Sequence, residues 1–82
     1  MRLEDKIKEL IKNKIEELGY ELFKVEIGRE WGTKTLTIFI KKEDRGINLK
    51  DCETVSKAIE PILDESDIIK EKYYLIVSSP GI

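Results

Sequence analysis

The chain has 82 residues, which is enough for one domain with a small core, because a domain of this size buries only about 60–65% of the surface that its unfolded chain exposes. Charged residues make up 39% of the sequence, apolar residues 40%, and the net charge is −2. This balance argues against a domain that binds naked nucleic acid through a basic excess, and the absence of histidine removes the side chain that most often acts as a general base near neutral pH.

The cysteine content and the length of the apolar runs indicate the compartment. The single cysteine cannot form an internal disulfide, which favours a reducing compartment. No apolar run approaches the ~18 residues that a membrane span needs. We therefore expect a cytoplasmic protein that has no membrane partner.

The first predicted element is a helix over residues 3–18. Its apolar residues recur at intervals of three and four, which is the spacing of one helical face. They are Leu3, Ile7, Leu10, Ile11, Ile15 and Leu18. Gly19 follows directly and is placed to end the helix in the left-handed conformation. We expect the apolar face of this helix to cover a core.

Alternating residues predict a strand over residues 21–29 and a second strand over residues 34–42. A short loop at residues 30–33 contains a glycine and joins the strands into an antiparallel hairpin. On one face of each strand the alternation places apolar residues: Phe23, Val25 and Ile27 in the first, and Leu36, Ile38 and Ile40 in the second. Trp31 lies at the tip, where it either folds back over the sheet edge or stays exposed as an anchor for a partner.

A second helix is predicted from about Leu49 to Asp64, with Asn48 or a neighbour as its N-cap. Its apolar stripe consists of Cys52, Val55, Ile59, Ile62 and Leu63. Pro61 lies within the stripe and lacks a backbone donor, so we expect it to kink the helix or to restart its last turn. Residues 64–67 are then a polar loop.

Residues 73–78 are uncharged and mostly β-favouring, which predicts a third strand. The order α-β-β-α-β predicts an α+β fold, a three-stranded sheet with two helices packed on one face. We expect the third strand to lie beside the first, which gives a fully antiparallel sheet. The strand runs into a turn made of Ser78, Ser79, Pro80 and Gly81, where proline fixes its own φ and glycine accepts a positive φ.

The residues that carry catalysis in other proteins are missing here or have a simpler role. Without histidine there is no Ser/His/Asp or Cys/His arrangement, and no glycine-rich phosphate loop is present. Asp64, Glu65 and Asp67 lack calcium-loop spacing and are interpreted as a solvated acidic loop. Cys52 is either a reactive thiol near a helix N-terminus or, as we favour, a buried small hydrophobe. We therefore expect no enzymatic activity, no metal and no cofactor.

Two stretches of the chain resemble the ribosome maturation factor RimP family. One is the end of the third strand with the following turn, residues 77–82, and the other is the segment Leu49–Lys57 with the downstream Pro61–Asp64. The order of helices and strands fits that family as well, so the resemblance covers nearly the whole chain. It implies residues 1–82 as the N-terminal domain of a factor that binds the maturing small ribosomal subunit, with the turn at residues 78–81 as an elbow to a C-terminal β-barrel domain absent from this sequence.

The uneven charge suggests where a ribosomal partner binds. Residues 48–72 hold seven acidic and four basic residues, and an acidic helix suits a basic ribosomal protein. The predicted partner-binding residues are Asp51, Glu53, Ser56, Glu60 and Asp64. For Asp51 and Ser56, helix capping is an alternative that the sequence leaves open.

A local basic patch is the candidate contact to ribosomal RNA. It consists of Lys41, Lys42 and Arg45, with Arg29 and Lys34 expected around the same hairpin ends. A few contacts to RNA phosphates are one interpretation of this patch, and a solvated turn is the other.

Two alternative functions stay open. A stand-alone RNA-binding module of the KH type would clamp the RNA backbone with a Gly-x-x-Gly loop, which this sequence lacks. An oligomerising interaction domain would use the sheet face that the helices leave open. The residues of that face are Thr35, Thr37 and Phe39, joined by Tyr74 and Ile76 if Leu75 and Val77 point inward.

Overall fold

The structure is a computed structural model that describes residues 2–43 and 46–80. Within these residues the chain forms two helices and three strands. They are α1 (Leu3–Glu17), β1 (Glu21–Glu30), β2 (Thr33–Lys41), α2 (Leu49–Ser66) and β3 (Tyr73–Ser78). The predicted α-β-β-α-β order and the α+β class are confirmed.

Both helices pack on one face of the sheet, as the hydrophobic periodicity predicts. The core contains three residues from each helix, four from the hairpin and two from connecting segments. These are Ile7, Ile11 and Ile15 of α1, Val55, Ile59 and Leu63 of α2, Val25, Leu36, Ile38 and Ile40 of the sheet, and the connecting residues Tyr20 and Ile69. Each buried aliphatic side chain contributes about 1.5–3 kcal/mol of transfer free energy, so this cluster supplies most of the hydrophobic stabilisation of the fold.

The sheet has the order β1-β2-β3, with β1 and β2 antiparallel and β3 parallel to β2. The predicted fully antiparallel sheet, with the third strand beside the first, is therefore wrong. Parallel neighbours need a crossover of a dozen or more residues, usually a helix, and α2 supplies that crossover between β2 and β3. As a result β3 lies at an edge of the sheet, next to the helix that leads into it.

The hairpin turn consists of Trp31 and Gly32, between the paired residues Glu30 and Thr33. Both turn residues have positive φ, 51° and 77°, which is the requirement of a type I′ turn. The Trp31 side chain is 99% exposed. The tryptophan therefore does not fold back over the sheet edge.

A β-bulge interrupts β1 close to its start. Leu22 pairs with Ile40 and Lys24 pairs with Phe39, so Phe23 is an extra residue with no partner of its own. Phe23 is 49% exposed, and Leu22 packs against the core instead. The predicted alternation holds for Val25 but is wrong at Phe23, because the inserted residue shifts the alternation by one position.

α2 begins at a capping box, which confirms Asn48 as the N-cap. The Asn48 side chain accepts a hydrogen bond from the Asp51 backbone N–H at 2.9 Å, and the Asp51 side chain accepts one from the Asn48 N–H at 3.0 Å. The helix continues through Pro61 as one element, and it ends at Asp67 in the left-handed conformation with φ 52°. The predicted restart at Pro61 and the predicted loop at residues 64–66 are therefore wrong.

Candidate functional site

Four of the predicted partner-binding residues lie along one face of α2. Glu53, Ser56, Glu60 and Asp64 follow one another at intervals of three, four and four residues, which brings their side chains to the same side of a helix. The three acidic residues are exposed and Ser56 is half-buried. We call these four residues the acidic row. It runs beside the buried stripe of α2, which contacts the sheet.

The negative charge of the acidic row is concentrated at its C-terminal half. Glu53 forms a salt bridge with Lys57 at 2.9 Å, which offsets its charge locally. Glu60 and Asp64 make no salt bridge with any residue in the described parts of the chain. Since an exposed pair contributes only about 0–1 kcal/mol, Glu53 is available to exchange partners as well.

A groove separates the acidic row from β3. It has a volume of about 460 Å³, and its walls include Ser56, Glu60 and Asp64 on the helix side and Tyr73 and Leu75 on the strand side. Burial raises the pKa of the Tyr73 phenol, and the nearby carboxylates of Asp64 and Glu60 raise it further. Glu60 and Asp64 are therefore close enough to Tyr73 to act on its phenol through the groove.

Asp51 lies away from the acidic row, in the interior. Its side chain is in the capping box and is buried, and one carboxylate oxygen accepts a hydrogen bond from the Tyr20 hydroxyl at 2.5 Å. Two residues along a helix turn by about 200°, so Asp51 lies opposite Glu53. Capping is therefore the role that the structure shows for Asp51.

Lys41 and Lys42 lie at the end of β2 and contact aromatic rings. The Lys41 ammonium lies 5.0 Å from the centre of the Phe23 ring, and the Lys42 ammonium lies 4.8 Å from the centre of the Tyr20 ring. Such cation–π contacts orient the ammonium groups without neutralising their charge. Arg45, the third candidate RNA contact, is outside the described residues.

Arg29 and Lys34 do not belong to the same patch as Lys41. Both pair with Glu71, at 3.1 and 3.6 Å, near the hairpin turn. The Arg29 hydrogen bond and the two positive charges lower the Glu71 pKa. Lys34 and Lys41 are seven residues apart on β2, which at about 3.3 Å per residue is a separation of about 23 Å. The expected grouping of all these cations around the hairpin ends is wrong.

The sheet face opposite the helices is partly apolar, as the alternation on β3 predicts. Leu75 and Val77 pack against the core, so Tyr74 and Ile76 lie on the open face, where they are 62% and 40% exposed. In the pairing register they are next to Thr35 and Thr37 of β2.

No helix within the described residues is long and apolar enough to cross a membrane. In the same part of the chain, no group of three acidic or cysteine side chains lies close enough together to hold a metal ion.

Comparison with known protein families matches residues 10–82 to the family described as the RimP N-terminal domain. The matched segment contains the hairpin, α2, β3 and about half of α1. The chain belongs to the RimP family. The resemblance seen in the sequence is thereby confirmed, and the family is one of ribosome maturation factors.

In this RimP N-terminal domain the predicted elbow begins where β3 leaves the sheet. β3 ends at Ser78, which lies beside Phe39 near the end of β2, and Ser79 and Pro80 follow as half-buried residues. Gly81 is outside the described residues. Ser79 and Pro80 therefore follow β3 at the same end of the sheet as Lys41. The elbow function stays a prediction.

For the RimP N-terminal domain, sequence reasoning left the capping role of Asp51 open and missed the groove between α2 and β3. An aspartate three residues after Asn48 is the signature of a capping box, so the inward role of Asp51 had a local signal. The groove between α2 and β3 had none, because it depends on which strand β3 joins. Cys52 is half-buried and not fully buried as expected, and burial together with the Asp51 charge raises the pKa of its thiol, which disfavours the reactive thiolate.

Proposed function

We propose that this chain is a non-enzymatic assembly-factor domain that binds the maturing small ribosomal subunit in the cytoplasm. The observation that carries the proposal is membership of the RimP family, a family of ribosome maturation factors. A ribosome maturation factor acts where ribosomal particles are assembled, which supports the cytoplasmic location. The lack of histidine and of a catalytic arrangement in the sequence supports binding without catalysis and without a cofactor.

The acidic row is the proposed contact to a basic ribosomal protein. Glu60 and Asp64, which form no salt bridge within the described residues, supply negative charge beside a groove, and complementary charge steers a basic partner and fixes its orientation. Glu53 extends the charge along the helix, and Ser56 supplies a hydroxyl within the same row. Asp51 contributes indirectly, because it anchors the N-terminus of the helix that carries the row.

The ribosomal RNA contact is proposed at the end of β2. Lys41 and Lys42 lie where β2 ends, and their charges are oriented by aromatic rings. Two or three cations of this kind position a protein on phosphates but give little affinity by themselves. We propose that Arg45 acts with them.

The turn at residues 78–81 is proposed as an elbow to a C-terminal β-barrel domain, which would be a second partner. Pro80 restricts Ser79 to extended backbone, and this makes the exit from β3 stiff. A stiff exit would hold the two domains in a defined arrangement on the particle.

Co-sedimentation with purified small ribosomal subunits tests this function. We expect binding by the chain and about tenfold weaker binding when Glu53, Glu60 and Asp64 are all replaced by lysine. In the matched control, lysine replaces three exposed acidic residues of α1, namely Glu9, Glu16 and Glu17. This control should bind like the original chain. Equal binding by the two triple variants would contradict the acidic row as the contact.

A second version, extended past Ile82 by its natural downstream sequence, tests the elbow. We expect the extended version to bind small subunits more tightly than the 82-residue chain. Absence of binding by both versions would contradict the proposed function.

An oligomerising function is the alternative that one observation favours, namely the exposure of Tyr74 and Ile76 on the open sheet face. Sedimentation equilibrium over a range of concentrations separates the two functions, since an oligomerising domain would associate without ribosomal particles. The KH-type alternative instead requires binding to short single-stranded RNA at moderate salt.

A further inference from the structure

The two edges of the sheet differ in their protection against pairing with another chain. Proteins commonly protect edge strands with charged residues and β-bulges. β1 has both, since a bulge lies between Leu22 and Lys24, and its charged residues are Glu21, Lys24, Glu26, Arg29 and Glu30. β3 has neither a charged residue nor a register shift along Tyr73–Ser78. No strand among the described residues pairs with its outer side.

We propose that the outer edge of β3 accepts an extended, basic protein segment as a fourth strand. Addition of a strand to an exposed edge is an established mode of peptide recognition, in which the main chain gives affinity and alternate side chains give specificity. The inference rests on the proposed function for its partner, because a basic segment on a ribosomal particle belongs to a ribosomal protein.

The helix side of the edge selects basic side chains. An added strand would place alternate side chains above the groove, next to Glu60 and Asp64. Four helical residues span about 6 Å along the axis, and two strand residues span about 6.6 Å. Successive lysines or arginines on one face of the segment therefore match the spacing of the two carboxylates.

The open side of the edge selects apolar side chains. The other alternate residues of an added strand would lie beside Tyr74 and Ile76, which are 62% and 40% exposed. Their contact would cover an apolar surface that is now in water. The segment that fits is thus one in which basic and apolar residues alternate.

The same charges argue against two other occupants of this edge. Two copies of the chain that paired through β3 would bring their acidic rows together, and the like charges would repel. RNA phosphates would meet the same repulsion from Glu60 and Asp64. A basic protein segment is the occupant that the charges favour.

The test uses an eight-residue synthetic peptide of alternating lysine and valine, titrated into the whole chain. Amide hydrogen exchange read by NMR should slow at residues 73–78. Two further peptides carry N-methyl groups, one on every lysine and one on every valine. Because the N–H groups of a strand point alternately to its two sides, one methylated peptide should lose about tenfold in affinity and the other should keep it.

Equal binding by all three peptides would show an electrostatic contact without strand pairing and would overturn the inference. Failure of the unmodified peptide to bind, or slowed exchange only outside β3, would overturn it as well. A dimer in sedimentation equilibrium that the substitution Ile76→Lys abolishes would show that a second copy occupies the edge and would overturn the choice of partner.

Substitutions give an independent test. Ile76→Lys should weaken binding of the unmodified peptide about tenfold, because a lysine is a typical protection of an edge strand. Phe23→Lys is the matched control, since it makes the same change at a half-exposed position of the other edge strand and should leave peptide binding unchanged. Glu60→Gln with Asp64→Asn should weaken binding and reduce its dependence on salt.

Co-sedimentation of the Ile76→Lys variant with small subunits separates this inference from the proposed function. Loss of both peptide and subunit binding supports the β3 edge as the ribosomal contact. Retention of subunit binding with loss of peptide binding overturns that assignment while the proposed function stands. Peptide pairing by a chain that binds no subunit supports the edge and contradicts the proposed function.

Discussion

The Asp51 side chain forms hydrogen bonds both at the start of α2 and to a residue from a distant part of the chain. One carboxylate oxygen accepts a hydrogen bond from the Asn48 backbone N–H in the capping box. The other accepts a hydrogen bond from the hydroxyl of Tyr20, which lies 31 residues earlier in the chain. Lys42 then lies over the ring of the same tyrosine. Asp51, which the sequence suggested as a partner contact, thus links the start of α2 to Tyr20 just before β1, and through the Tyr20 ring to Lys42, a candidate RNA contact.

Replacement of Asp51 by alanine should lower the free energy of unfolding by about 2–3 kcal/mol. The loss combines the capping box, typically about 1 kcal/mol, with a buried hydrogen bond whose tyrosine hydroxyl loses its acceptor. Urea unfolding followed by circular dichroism measures the difference. Glu53→Ala on the same helix is the control and should change stability by less than about 0.5 kcal/mol. An equal loss in the two variants would contradict the structural role of Asp51.

Trp31 has a backbone conformation and a side-chain exposure that are both unusual for a tryptophan. A non-glycine residue at φ 51° is disfavoured by about 1 kcal/mol or more, and a side chain that is 99% exposed recovers nothing through packing. Asparagine followed by glycine is the preferred pair for this turn.

We therefore expect Trp31→Asn to raise the midpoint of thermal unfolding, by the few degrees that correspond to about 0.5–1 kcal/mol in a domain of this size. Gly32→Ala, at φ 77°, is the opposite control and should lower the midpoint. A fall in the midpoint on Trp31→Asn would show that the indole makes stabilising contacts.

At the scale of elements, the relation between α2 and β3 creates the site. The helix supplies two carboxylates and the strand supplies Tyr73, and the groove exists only because the two elements are neighbours. The Tyr73 phenol consequently reports on the charge in the groove. Burial is the larger cause of its raised pKa, and the carboxylates of Asp64 and Glu60 are the further cause.

Titration of the tyrosine ring resonances by NMR should show Tyr73 ionising above the ordinary value of 10.0. In a variant with Glu60→Gln and Asp64→Asn, the Tyr73 pKa should fall but stay raised, since burial remains. The folded state binds this proton more tightly than the unfolded state. Its contribution to stability is therefore complete below the unfolded pKa and is lost as the pH rises through the folded pKa. An unchanged Tyr73 pKa in the double variant would contradict the proximity of the two carboxylates.

At the scale of the whole molecule, the sheet order determines which surfaces are available. With β2 in the centre, both of its edges are paired, and β3 keeps an outer edge next to the acidic row. Had β3 joined β1, as the sequence suggested, β1 would be the central strand and β2 would be an edge strand.

Native-state hydrogen exchange distinguishes the two sheet orders. The amides of β2 should exchange most slowly, because this strand is paired on both sides and carries Leu36, Ile38 and Ile40 in the core. Alternate amides of β1 and β3 should exchange faster, since they point to an open edge. Slower exchange in β1 than in β2 would instead support the antiparallel order with β1 in the centre.

The sequence was most informative where a pattern is repeated locally. The isoleucines of α1 and the alternation of Leu36, Ile38 and Ile40 predicted both the elements and the buried faces. The bounds of β3 were predicted as the structure has them. Single inserted or capping residues were harder, and for this reason Phe23 and the end of α2 were misplaced: one bulge residue or one left-handed residue changes the pattern without leaving a signal in it.

The sequence by itself determined the five elements, the buried faces of the two helices and of β2, the family and the charge of α2. These follow from residues close together in the chain, whose spacing fixes which side of a helix or strand they occupy. Only the tertiary structure decided that β3 joins β2, that Asp51 meets Tyr20, and that Glu60 and Asp64 border an open strand edge. These features depend on contacts between distant segments, and such contacts are selected by the packing of the whole core and not by any local pattern.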